Sequence, residues 1–239
     1  MSDNLPINYA EQLAKEAEAI GARIASPSGD RIRFDGNRAL IAPDGTEGTE
    51  LEVVIVEFIS SNLFYDGQFD RNNPQPPGCF ALGPEPSELV PSPNSPNRQS
   101  DNCALCPNNQ FGSAGKGKAC KNTRLLAVMP VAMDGETPPV WIMSIPPTSL
   151  KSFDGYVKTL SVKHKTVPIG VVTKISLDNS VSFAAPRFEV VRPLAAEEFK
   201  TYMEQRSVAM DRLLTEPDVT GYAARPSGPA RVAPRGRVR

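Results

Sequence analysis

Histidine and long apolar runs are scarce in this chain, and each scarcity excludes a class of protein. His164 is the only histidine among 239 residues. A catalytic metal site built on two or three histidines is therefore excluded, and a Cys–His catalytic pair would have to use His164. The chain contains no run of 18 apolar residues, so no membrane-spanning helix is expected. The N-terminal residues lack a basic stretch followed by an apolar block, so no secretory signal is expected either.

Acidic residues are missing from two stretches, although the net charge of the whole chain is only −1. No Asp or Glu occurs between Cys103 and Met133, where the chain carries four cations: Lys116, Lys118, Lys121 and Arg124. After Asp218 there is again no acid, but there are five arginines. Such one-signed segments attract polyanions such as nucleic acid.

The four cysteines are Cys79, Cys103, Cys106 and Cys120. Without a secretory signal a reducing compartment is expected, in which clustered cysteines favour metal over disulfides. Cys103 and Cys106 form a C-x-x-C knuckle, and four thiolates match the ligand number of a structural zinc site. The spacing therefore predicts structural Zn²⁺ held by these cysteines. An iron–sulfur cluster and free or redox-active thiols remain as alternatives.

Residues 112–119 read GSAGKGKA, which is close to the phosphate-binding pattern G-x-x-x-x-G-K-[ST]. Ala119 replaces the hydroxyl that would bind magnesium, and no strand pattern precedes the loop, so nucleotide hydrolysis is not expected. Glycines nevertheless allow close approach of a phosphate, and Lys116 and Lys118 supply charge. The pattern therefore predicts contact with a nucleic-acid backbone, with a simple solvated loop as the alternative.

Aromatic residues flank this basic segment in polar, turn-rich surroundings. Bases stack on such rings with little sequence preference. Core packing is the alternative for any one of them. The candidate stacking residues are Phe64, Tyr65, Phe69, Phe111 and Trp141.

Hydrophobic periodicity predicts a mainly β chain. Helices are expected over 8–20, 148–161 and 195–214, strands over 30–34, 38–43 and 51–60, and hairpins over 124–145 and 169–191. The strand at 51–60 is apolar on nearly both faces, so it is expected to be central. Pro186 indicates an edge or a bulge. The proline-rich residues 84–98 predict an exposed loop.

These elements predict an α+β fold that is mainly β with a few helices: an OB-fold-like, partly open β-barrel with a zinc-stabilised insertion loop. Residues 1–24 are expected to form an N-terminal helix or arm. Residues 25–215 would form the barrel domain, with the insertion at about 62–123. Residues 216–239 are poor in large apolar residues and are expected to form a disordered basic tail.

Two strings, FYDGQFDRNNPQPPGCFALG and CALCPNNQFGSAGKGKACKNTRLLAV, together with PIGVVTKISL and FEVV, resemble a group of phage-encoded single-stranded-DNA-binding proteins. The resemblance covers about residues 30–215. It implies an OB-fold with a zinc-binding insertion, with the four cysteines as ligands and the loop lysines and nearby aromatics facing the strand. The basic C-terminal residues depart from the acidic tail of better-known phage single-strand binders.

The resulting hypothesis is a non-enzymatic, sequence-tolerant single-stranded-DNA-binding protein of phage replication or recombination. Its expected location is the cytoplasm of the infected bacterial host, with phage replication proteins as further partners and no membrane. Two alternatives stay open. One is a zinc-stabilised phage interaction protein, a transcription modulator or virion component that binds a host or phage protein. The other is an iron–sulfur or nucleotide-dependent enzyme.

Overall fold

The structure is a computed structural model that describes residues 12, 30–67, 73–132 and 137–223. The described chain is mainly β. Its strands are β1 (Arg31–Asp35), β2 (Ala39–Ile41), β3 (Glu47–Gly48), β4 (Glu50–Phe64), β5 (Cys79–Gly83), β6 (Lys121–Pro130), β7 (Trp141–Ile145), β8 (Val171–Leu177) and β9 (Pro186–Pro193). Its α-helices are α1 (Leu150–Thr159), α2 (Ala196–Glu204) and α3 (Arg206–Leu213).

All nine strands belong to one sheet: eight follow the order β3-β2-β1-β7-β6-β4-β8-β9, and β5 pairs with β4 outside this series. The long strand β4 organises it. Along one edge β4 pairs with β6 over nearly its whole length. Along the other edge its first half pairs with β8 and its second half with β5. A register shift between Ile55 and Glu57 bends β4, and the sheet curls into a half-barrel.

Both faces of the sheet are covered, which is why β4 is apolar on both sides. Val53 and Ile55 point to a core that includes Phe153, Tyr156 and Leu160 from α1 and the turn that continues it. The other face carries a second core, which includes Tyr202 of α2 and Leu213 of α3. The helices therefore pack on opposite faces of the curled sheet.

Most of the predicted elements are present. The expected central strand is confirmed, and it extends four residues past the predicted end at 60. Pro186 begins the edge strand β9, as its position indicated. The predicted helix over 195–214 is instead two helices that meet at Gln205. The sequence did not predict β3 or β5. Apart from residue 12, the helix expected over 8–20 lies outside the described residues.

The proline-rich segment and the start of the expected basic tail pack against each other. Leu89 is buried with Ala81 and Cys103 in a small third cluster, so the segment is anchored to the sheet. Glu216 accepts hydrogen bonds from Ser92 Oγ (2.5 Å) and Asn94 Nδ2 (2.7 Å). Residues 214–222 therefore return to the loop that follows β5.

Candidate metal centre and nucleic-acid interface

The four cysteines approach one end of the sheet, where β4 finishes between its two neighbours. Cys79 opens β5 and pairs with Phe64, the last residue of β4. On the other side, Cys120 directly precedes β6, whose first residue pairs with Leu63. The knuckle cysteines Cys103 and Cys106 belong to residues 99–120, which we call the cysteine lobe. The sheet thus fixes two of the cysteines, and the lobe supplies the other two.

Backbone hydrogen bonds hold the cysteine lobe against its surroundings. The N–H of Cys103 donates to the carbonyl of Leu89 (3.1 Å), and that of Cys120 donates to the carbonyl of Asn108 (2.8 Å). Cys106 precedes a short 3₁₀ helix, Pro107–Asn109, whose last N–H returns to the Cys106 carbonyl (2.9 Å). The lobe therefore has a defined conformation although its only regular element is one helical turn.

All four thiols are buried, with exposures between 6% and 9%. Burial is the main cause that raises the pKa of Cys120 to about 12, and Cys103, Cys106 and Cys79 raise it further by repulsion. Burial also raises the pKa of Cys103, with smaller contributions from Cys79 and Cys106. The electrostatic influence of the other three cysteines on Cys120 agrees with their common position at this end of the sheet.

The chemistry of this donor set fits a metal ion. Several buried thiolates in one place repel each other, and a soft divalent cation such as Zn²⁺ would compensate that charge. Within the described ranges, no three His, Cys, Asp or Glu side chains stand in a ligating arrangement. The fit rests on the burial of all four cysteines at this end of the sheet, because buried thiolates need a compensating cation.

The positive charge of the lobe comes from lysines in its glycine-rich part. Gly112 and Gly115 adopt positive φ angles of 93° and 68°, which side chains disfavour, so the turn depends on glycine. The Nζ of Lys118 lies 5.3 Å from the ring centroid of Phe111, within cation–π range. Lys116 and Lys121 are exposed. Among the described residues, none of these three lysines forms an ion pair.

An amide cluster joins the lobe to the sheet. Lys118 Nζ donates to the side-chain oxygens of Asn122 (2.9 Å) and Asn109 (3.3 Å). Asn122 Nδ2 in turn donates to Asn109 (2.9 Å) and to Asn62 of β4 (2.6 Å). Sequence reasoning missed these asparagines, because Asn in a turn-rich segment reads as turn chemistry. They give Lys118 a fixed position without neutralising its charge.

Arg124 is already engaged within the protein. Its Nη1 donates to Ser60 Oγ (2.9 Å), and its Nη2 lies 3.6 Å from a carboxylate oxygen of Asp154 on α1. The Arg124 side chain is only 16% exposed, whereas that of Asp154 is 55% exposed. A phosphate that reached Arg124 would therefore meet the Asp154 carboxylate first.

The predicted stacking residues differ in their surroundings. Phe111 is 81% exposed and Tyr65 is 41% exposed, while Phe64 is half-buried. Trp141 is 4% exposed and belongs to the core beneath α1. Because a ring in that position offers no free face, Trp141 has no part in the interface proposed below. Phe69 lies outside the described residues.

Tyr65 has a cation nearby. Burial raises the pKa of the Tyr65 hydroxyl, and the positive charge of Arg31 opposes that rise. Tyr65 therefore offers an accessible ring at the end of β4 within the electrostatic influence of Arg31, which the sequence had not singled out.

Comparison with protein-family models, curated proteins and solved structures gave no match to this chain. No helix in the described part of the chain is both long and apolar enough to cross a membrane.

Proposed function

We propose that this chain is a non-enzymatic protein that binds single-stranded DNA with little sequence preference in phage replication or recombination. It would act in the cytoplasm of the infected host, with phage replication proteins as further partners. The contacts would come from the cysteine lobe and the adjoining end of β4.

The observation that carries this proposal is the arrangement of Lys118 and Phe111. An exposed ring and a fixed ammonium group lie 5.3 Å apart in a segment without acidic residues. Single-stranded nucleic acid presents apolar base faces and phosphates side by side, and proteins that bind it combine positive grooves with aromatic platforms. Lys116 and Lys121, exposed on the same segment, would contact further phosphates.

The proposal includes a barrel of the OB type. The strands β7, β6, β4, β8 and β9 lie side by side in that order. Numbered along the chain without the short strand β5, this order is 3-2-1-4-5, with α1 between the third and fourth strands, and it supports the proposal of a five-stranded barrel of the OB type. OB-folds bind oligonucleotides across strands 2 and 3 and with the loops between strands 1 and 2 and strands 4 and 5. The first of these loops corresponds to residues 65–120, which contain the cysteine lobe.

Zn²⁺ held by Cys79, Cys103, Cys106 and Cys120 has a structural role in this proposal. It would tie the knuckle to the beginnings of β5 and β6. Because the long insertion has little regular structure, this cross-link would limit its conformational freedom and keep Phe111 and Lys118 in place.

The direct test is a titration of fluorescently labelled oligo-dT with the full chain, followed by anisotropy over a series of salt concentrations. We expect binding at low salt, with log K falling linearly against log salt by about 0.7 for each phosphate contacted. A duplex of the same length is the control and should bind more weakly, because its bases are not available for stacking. Absence of oligo-dT binding at low salt would refute the proposal.

A further inference from the structure

Two large apolar side chains project from the tip of the cysteine lobe. Leu105 is 80% exposed and Phe111 is 81% exposed. The other exposed large apolar side chains in the described ranges are at most 58% exposed. Single exposed apolar residues are common on protein surfaces, but two so fully exposed on one small lobe indicate a contact surface.

The two side chains belong to one rigid unit. Gln110, which directly precedes Phe111, donates from Nε2 to the carbonyl of Ala104 (2.9 Å) and to that of Cys106 (3.2 Å). These two carbonyls flank Leu105 in the chain. Asn109 Nδ2 also donates to the carbonyl of Cys103 (2.8 Å). The knuckle that carries Leu105 is therefore bound to the turn that carries Phe111.

The charge around Leu105 and Phe111 indicates which partner would cover these two side chains. A protein partner would have to cover two apolar side chains that share the acid-free residues 103–133 with Lys116 and Lys118, and the one acid of the lobe, Asp101, is paired with Arg98 (3.4 Å). Single-stranded DNA offers both an apolar surface and a negative charge, because each nucleotide carries an apolar base face and a phosphate.

We infer that Leu105 and Phe111 form a two-point contact in which Leu105 inserts between neighbouring unpaired bases while Phe111 stacks on one of them. This inference rests on the proposed function and assigns Leu105, which has no π face, a different role from Phe111. Leucine gains mainly by burial, so it benefits most when bases cover it on two sides. Apolar side chains act in this way as wedges between base steps in other nucleic-acid complexes.

The test combines an affinity with a stacking signal. Oligo-dT anisotropy gives the affinity, and a strand that contains two neighbouring 2-aminopurines reports unstacking through a rise in fluorescence. We expect Leu105→Ser to weaken oligo-dT binding about tenfold and to reduce the fluorescence rise at saturation. Leu105→Met retains an apolar side chain of similar volume and should behave like the wild type.

Val162→Ser is the matched control, because Val162 is 58% exposed in the turn after α1 and lies outside the lobe. A melting curve for each variant shows that it is folded. If Leu105→Ser binds oligo-dT as tightly as the wild type, or gives the same fluorescence rise at saturation, the inference is wrong. If the wild type does not bind oligo-dT, the proposed function itself is wrong and the inference fails with it.

Discussion

At the scale of single residues, Lys118 shows how the fold places a charge. Its ammonium group lies over Phe111 and donates to two asparagines, one from the lobe and one from β6. Neutral amide acceptors orient the lysine but leave its charge available to a phosphate. Arg124 shows the opposite arrangement, because Asp154 stands beside it as an internal counter-ion.

Replacing Asp154 with Asn should strengthen DNA binding. The substitution removes a negative charge near the path of the strand and frees Arg124, while Ser60 still orients the guanidinium. The ion pair is partly exposed and contributes little to stability, so the fold should be unaffected. We expect roughly threefold tighter oligo-dT binding and a salt dependence steeper by up to about 0.7 in the log–log slope.

The control for this substitution is Asp211→Asn on α3, an exposed acid on a different element. Both variants lose one negative charge, so a general effect of net charge would strengthen both equally. Equal affinities for Asp154→Asn and the wild type would show that Arg124 does not contact the strand.

At the scale of elements, the start of α2 depends on one carboxylate. Glu198 accepts two hydrogen bonds from the Arg192 guanidinium (2.8 and 2.7 Å) and one from the N–H of Ala195 (2.8 Å). The bonds from Arg192, followed by the one from Ala195, lower the pKa of Glu198 from the ordinary 4.5 to about 2. The carboxylate therefore links the end of β9 to the helix that covers one face of the sheet.

This lowered pKa predicts a pH dependence of stability. Because the folded-state pKa is depressed, the contribution of Glu198 is fully present above about pH 4.5 and is lost as the pH falls toward 2. Glu198→Gln should therefore unfold at a lower urea concentration than the wild type at pH 7, and the difference should shrink at pH 3. A difference of the same size at both pH values would contradict this role.

The elements that the sequence predicted well are those whose hydrophobic pattern is complete within one short segment. The residues of β4 are apolar on both faces over 51–60, which requires cover on both sides, and the two cores supply it. The polar end of β4 could not be predicted, because Ser60, Ser61 and Asn62 are buried only through partners distant in sequence. The same applies to β5, a five-residue strand defined by its pairing with β4.

The candidate site also shows that features formed by residues distant in sequence cannot be predicted from local patterns. Cysteine spacing and the acid-free segment predicted where the basic lobe would lie, since both are properties of the sequence itself. Where both faces of a strand are apolar, the sequence does not show on which face a residue lies. Trp141 in WIMSI was a candidate for DNA contact, but in the folded chain it belongs to the core. The amide cluster of Asn62, Asn109 and Asn122 joins residues up to 60 positions apart and could be found only in the folded chain.

At the scale of the whole molecule, a curled sheet with both faces covered supports one irregular lobe at its end. The sheet holds the first residues of β5 and β6, including Lys121, and the lobe holds the exposed ring with Lys116 and Lys118. Gly112 and Gly115 make the turn possible, and in the proposed function Zn²⁺ on the four cysteines would hold it in place. In the proposed function, the sheet is a stable scaffold, and the small contact surface on the lobe would depend on the four thiols.

The most direct test is the affinity for oligo-dT measured on the same preparation before and after removal of bound metal with a chelator under reducing conditions. We predict one Zn²⁺ per chain, tight binding at low salt in the loaded protein, at least about tenfold weaker binding after removal, and recovery when Zn²⁺ is returned. Far-UV circular dichroism should change little, because the sheet and the α-helices lie outside the lobe. Equal affinity with and without metal, or no binding in either state, would contradict the account.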